Sequence, residues 1–171
     1  SGFRASPKSL DITDRFHVVF DENPLFAPAS YDYVDGSVIK PADMVSASLS
    51  TGITVPKDEN GDAEKFYGWD YQMSSTTGEK VLSSSVTFDH QVLFTTYIPS
   101  DGNKTCETTK GDAGTGRYYL LSLLDGKSVL DVNGTAENYR DLMHGGIPPE
   151  PAVIFLSEDV CVSESCDGDD A

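Results

Sequence analysis

The sequence predicts an all-β, mainly antiparallel fold, and three observations carry that prediction. Bursts of β-branched and aromatic residues recur at strand length. Gly, Pro, Asn and Asp stand between them at close intervals, and only one short stretch has a helical signature.

Taken in order, Phe16-His17-Val18-Val19-Phe20 reads as a strand inside loop, followed by Pro24, Pro28 and the turn Val34-Asp35-Gly36. Next come two strands around one helical turn: Ser37-Val38-Ile39-Lys40, then Pro41-Ala42-Asp43-Met44, then the alternation Val45, Ala47, Leu49, Ile53, Val55. The stretch from Pro56 to Glu64 offers a core only Ala63 and reads as a surface turn. From Lys65 the pattern tightens into Phe66-Tyr67-Gly68-Trp69-Asp70-Tyr71, Val81-Leu82, Val86 with Phe88, and Gln91 through Ile98. A long polar loop runs from Pro99 to Gly116, and Arg117 through Leu124 forms the next strand before Asp125-Gly126. The one credible helix runs near Ala136 to Met143, capped by Thr135 or Asn133 and ended by Gly145-Gly146. Pro148, Pro149 and Pro151 forbid a helix and a central strand, after which Ala152 to Leu156 is expected to rejoin a sheet.

Charge and length bound the function. At 171 residues a folded chain buries roughly 70% of its unfolded surface, enough for a core without metal or disulfide. Twelve basic against 28 acidic residues give a net charge of −16, which repels phosphate backbones and anionic lipid, so nucleic-acid binding and electrostatic membrane binding are excluded. No apolar run approaches the ~20 residues of a membrane span, and direct insertion is excluded with it. The start at Ser1-Gly2-Phe3 is read as a piece of something longer, whose leader would lie upstream. Cys161 and Cys166 close a six-residue loop at disulfide spacing, leaving Cys106 without a partner.

Three constellations bear on chemistry. Asp131, Asn133 and Thr135 repeat at the 1, 3, 5 spacing of an EF-hand loop, with Asp141 near its end, so calcium is the one candidate cofactor. The alternative is an Asx-rich turn capping the short helix, since Ala136 and Leu142 occupy the Gly and Glu positions. A weaker echo runs from Asp58 to Asp62. Tyr67, Trp69 and Tyr71 share one face of a strand and form a candidate sugar- or peptide-binding stripe, against the reading in which Trp69 is core. No nucleophile elbow, metalloprotease motif, phosphate loop or Cys-x-x-Cys pair is present; His17, His90 and His144 are scattered, and no catalytic residue is assigned.

The run Gly68-Trp69-Asp70-Tyr71-Gln72-Met73, then Gly78-Glu79-Lys80-Val81-Leu82-Ser83, then Val92-Leu93-Phe94-Thr95-Thr96-Tyr97-Ile98-Pro99-Ser100, resembles the closing blade of the PilY-type type IV pilus tip and biogenesis proteins. A loop with a single Cys follows, here Cys106. Gly116-Arg117-Tyr118-Tyr119, Leu124-Asp125-Gly126, Leu130-Asp131-Val132-Asn133-Gly134 and Gly146-Ile147-Pro148-Pro149-Glu150-Pro151 extend the likeness from about Tyr67 to Cys166. The resemblance implies the C-terminal portion of a quinoprotein-like β-propeller with long loops. Residues 1–64 would supply loop-rich strands of partial blades, residues 65–157 the closing blade region and residues 158–171 an acidic disulfide-looped tail. It implies no enzyme but a module for pilus assembly, retraction control and surface adhesion, secreted to the bacterial surface and associated with the outer membrane or pilus. Its partners would be type IV pilus components and a surface or host receptor. A quinone-dependent propeller dehydrogenase and a weak calcium-responsive binding module are the competing expectations.

Overall fold

The computed structural model describes residues 6–11, 13–21, 25, 39–74, 77–100, 113–132 and 134–155. Over the described residues the chain is mainly β, with mainly antiparallel sheets, none of which closes into a barrel. A first sheet holds β1 (Arg15–Val19), β3 (Gly68–Gln72) and β2 (Val45–Ser46), in the order β1-β3-β2. β1 runs antiparallel to β3 with Val18 opposite Trp69, whereas β2 runs parallel to it. The expected helical turn is a single 3₁₀ turn at Pro41–Asp43, started by the proline and closed when the Asp43 carboxylate accepts the Lys40 N–H at 2.7 Å.

A second sheet holds β4 (Lys80–Val81), β6 (Gln91–Ile98), β7 (Thr115–Ser122) and β10 (Arg140–Gly145), each antiparallel to the next, with β5 (Val86–Phe88) also paired to β6. Neighbours in this sheet follow chain order, so it is a meander. β6 and β7 pair along their full eight residues. The β5–β6 hairpin turns through Asp89 and His90, both at positive φ (43° and 57°), the backbone of a two-residue hairpin loop. A third, two-stranded sheet joins β8 (Leu130–Val132) to β9 (Thr135–Glu137).

The first two sheets meet through aromatic rings. Phe16 of β1 stacks on Phe94 of β6 with centroids 4.0 Å apart, and Phe94 stacks on its cross-strand neighbour Tyr119 at 5.0 Å. Trp69, Met73, Val92 and Leu121 complete the core at 0 or 1% exposure. Burying this much ring area is what holds the two sheets face to face.

Two expectations are corrected. The helix near Ala136 to Met143 is instead β9 and β10. The Asn133-Gly134 pair stands between two short β runs, which is a hairpin signal, and Val132 pairs with Thr135. Tyr139 packs its ring under the Arg117 guanidinium, 3.6 Å away, and Arg140 and Asp141 pair with Tyr118 and Arg117, so tertiary contacts override local helix propensity. The strand expected at Ala152 to Leu156 is also absent over the described residues 152–155. Three prolines just upstream remove ladder donors, and Ile154 and Phe155 remain 82% and 81% exposed.

Candidate interaction surface

The meander has two faces. Val92, Phe94, Thr96, Arg117, Tyr119 and Leu121 alternate onto the face that carries the core; Leu93, Thr95 and Tyr118 alternate onto the other. The chain leaving β10 crosses that second face. It is tied there by the Thr95 hydroxyl donating to the Pro149 carbonyl at 3.2 Å and the Ser84 hydroxyl donating to the Glu150 carboxylate at 2.8 Å. Gly116 makes the close approach possible: a Cβ there would lie 2.9 Å from Leu142 Cδ1 and 3.5 Å from Pro148 Cβ.

The crossing leaves two adjoining apolar pockets. One, of about 280 Å³, opens over Leu93 and Tyr118 and reaches Glu150 and Ala152. The other, of about 440 Å³, is lined by Met143, His144 and Ile147. Both share Leu142, Pro148 and Pro149; Pro148 is buried and Pro149 exposed, so Pro149 is the ridge between them. Met143 is 90% exposed and Ile147 47%, so this rim puts apolar surface into water beside the last strand of the sheet.

A buried polar network on the core face positions β10. Glu79, 1% exposed, accepts the Thr96 hydroxyl at 2.6 Å and the Tyr119 hydroxyl at 2.7 Å on one oxygen, and Arg117 at 3.2 Å on the other. Arg117 reaches out with its Nε to Asp141 at 2.8 Å, linking the core carboxylate to the edge strand. Burial works against the Arg117 charge, but its bonds to Asp141 and Tyr119 and the Glu79 charge outweigh it and hold its pKa above the usual guanidinium value. Burial, followed by the charge and hydrogen bond of Glu79, pushes the Tyr119 phenol well above its ordinary value. Among the described residues no buried side-chain polar atom lacks a partner, so the network is fully satisfied.

The residues singled out from sequence fall elsewhere. Trp69 is not a binding face: it is 0% exposed and its indole N–H donates to the Leu123 carbonyl at 2.8 Å. Tyr67 precedes β3, with the Lys65 amine 4.9 Å over its ring, and Tyr71 lies against Tyr119 at 5.9 Å. The stripe is divided because its largest ring gains more from the core than from solvent. Asp131 and Thr135 are exposed on β8 and β9, Asp141 is bonded to Arg117, and Asn133 lies outside the described residues. No three His, Cys, Asp or Glu side chains gather into a metal-holding group among the described residues. Cys106, Cys161 and Cys166 lie outside the described residues.

Sequence reading overlooked Glu79, Arg117 and the Leu142-Met143 rim. Charge inside apolar bursts, at Glu79-Lys80 before Val81-Leu82 and at Arg117 before Tyr118-Tyr119, was the available signal for the network. The rim was hidden by the helical assignment of its strand. Compared with family models, with curated proteins and with solved structures, the chain matches none.

Proposed function

We propose that this chain is a non-enzymatic binding module of a PilY-type type IV pilus biogenesis or tip protein, serving pilus assembly, retraction control and surface adhesion at the bacterial surface. One observation supports the reading above the others. The residues that carry the PilY likeness lie on four strands around a common core: Gly68 to Gln72 on β3, Lys80-Val81 on β4, Val92 to Ile98 on β6 and Gly116 to Tyr119 on β7. In this reading the meander β4-β6-β7-β10 is one four-stranded blade of a quinoprotein-like propeller. The work is done by surface contact, for which the apolar rim of β10 is the exposed candidate.

The test is an in-frame deletion of residues 65–157 from the parent gene, with the remaining protein verified by immunoblot. Loss of surface pili, of twitching or of attachment is expected. Normal piliation, twitching and attachment would overturn the reading.

A further inference from the structure

We propose that the two pockets flanking the Pro149 ridge together seat one extended segment of a basic partner protein, with an apolar side chain on each side of the ridge and a Lys or Arg at Glu150. The proposal rests on the binding role above and names the chemistry of its partner.

Shape argues for a chain over a compact ligand. The pockets adjoin but are divided by side chains they share, so an occupant must cross the ridge and send a separate group down each side. The pocket walls are mostly Leu, Met, Ile, Pro and Tyr side chains, with Thr95 in one pocket and His144 in the other; they reward apolar groups, and Met143 and Ile147 extend that wall into solvent.

Charge selects the partner. Among the described residues, the exposed Glu150 is the one carboxylate lining either pocket and no Lys or Arg lines them, while the exposed His144 lines the pocket without Glu150. Ser84 engages one Glu150 oxygen. A cation at the other would form a charge-assisted pair at the pocket mouth. The same charge turns away the two nearest rivals. The sequence after Phe155 holds Glu158, Asp159, Glu164, Asp167, Asp169 and Asp170 and no basic residue, so it has no cation to offer Glu150. A second copy brings a further net charge of −16.

The probes are fluorescein-labelled Arg-Leu-Val-Leu-Arg and Glu-Leu-Val-Leu-Glu, followed by anisotropy against the 171-residue chain. The basic peptide is expected to bind ~10-fold or more tightly than the acidic one, with an advantage that shrinks as salt rises. Met143→Asp, at a side chain that packs on little, should weaken the basic peptide by ~10-fold with an unchanged circular-dichroism spectrum. Glu150→Lys should erase most of the preference between peptides. Equal binding of the two peptides, or indifference to Met143→Asp, would overturn the proposal. So would binding that appears only after residues 156–171 are removed, or a dimer in sedimentation that Met143→Asp breaks, since each names a different occupant. Failure here with pili lost on deletion refutes the partner chemistry alone. Peptide binding alongside normal pili, twitching and attachment refutes the pilus role alone.

Discussion

Arg117 donates to Glu79 at 3.2 Å beside the aromatic and aliphatic core, and it is the same guanidinium that holds Asp141 on the edge strand. The two carboxylates differ in setting. Glu79 is sealed from water and holds three donors, whereas the Asp141 side chain is 56% exposed. Removing Glu79 leaves the Thr96 and Tyr119 hydroxyls without their buried acceptor and takes one of the two carboxylates from Arg117, so Glu79→Ala is expected to cost about 3–5 kcal/mol. Asp141→Ala should cost about 1 kcal/mol or less, as for an exposed ion pair. Urea unfolding of the two variants decides the matter, and similar losses would contradict this division of roles.

Glycine substitutions separate steric crowding from backbone strain. Gly126 has φ +69°, and a Cβ there would lie 2.6 Å from Ala47 Cβ and 3.1 Å from the Trp69 ring. Gly61 has φ +86° with nothing within 4 Å. Both alanine variants incur the left-handed penalty of about 1 kcal/mol, but only Gly126→Ala must also displace the core. Gly126→Ala should therefore lose about 1–3 kcal/mol more than Gly61→Ala in the same unfolding assay.

The β class was legible because β propensity and turn residues agreed along most of the chain. Gln91 to Ile98 reads as a strand and folds as one, and the strand read over Arg117 to Leu124 folds as Thr115–Ser122, because the cross-strand pairs Val92–Leu121 and Phe94–Tyr119 bury their side chains on the core face. Ala136 to Met143 reads as a helix because Ala, Glu, Arg, Leu and Met favour helix locally, while what fixes the segment is distant: the Arg117 guanidinium and the edge of β7. The interaction surface was illegible for the same reason. Leu142, Pro148 and Tyr118 meet only because Gly116 lets the chain cross the sheet, and nothing in local spacing encodes that crossing.

Alkaline stability should report the Tyr119-Glu79 bond. The Tyr119 phenol is raised above 10.0 in the folded chain, first by burial and then by the Glu79 charge, and Tyr71 is raised by the same two causes. Below pH 10 both phenols stay protonated in folded and unfolded chains, and their contribution is fully present. Above pH 10 the unfolded chain releases protons that the folded chain keeps, so stability falls as pH rises. Tyr119→Phe should lose about 1–3 kcal/mol at neutral pH, because Glu79 gives up a buried donor, and should show a shallower decline above pH 10. Urea midpoints measured on both sides of pH 10 test the slope; identical slopes would refute the assignment.

Trp69 is the one tryptophan in the chain, so its emission reads the core without ambiguity. With 0% exposure and its indole N–H held by Leu123 at 2.8 Å, the native protein should emit in the blue-shifted range of a buried indole and resist iodide quenching. Soluble sugars and the basic peptide should leave that emission unchanged, because Trp69 meets neither solvent nor the β10 pockets. Trp69→Phe keeps a ring but leaves the Leu123 carbonyl without its donor and a void beside Phe16, whose ring lies 6.3 Å away; a loss of about 2–4 kcal/mol is expected. Quenching by iodide in the folded state, or a spectral shift on adding sugar, would place Trp69 at the surface and restore the aromatic stripe as a binding face.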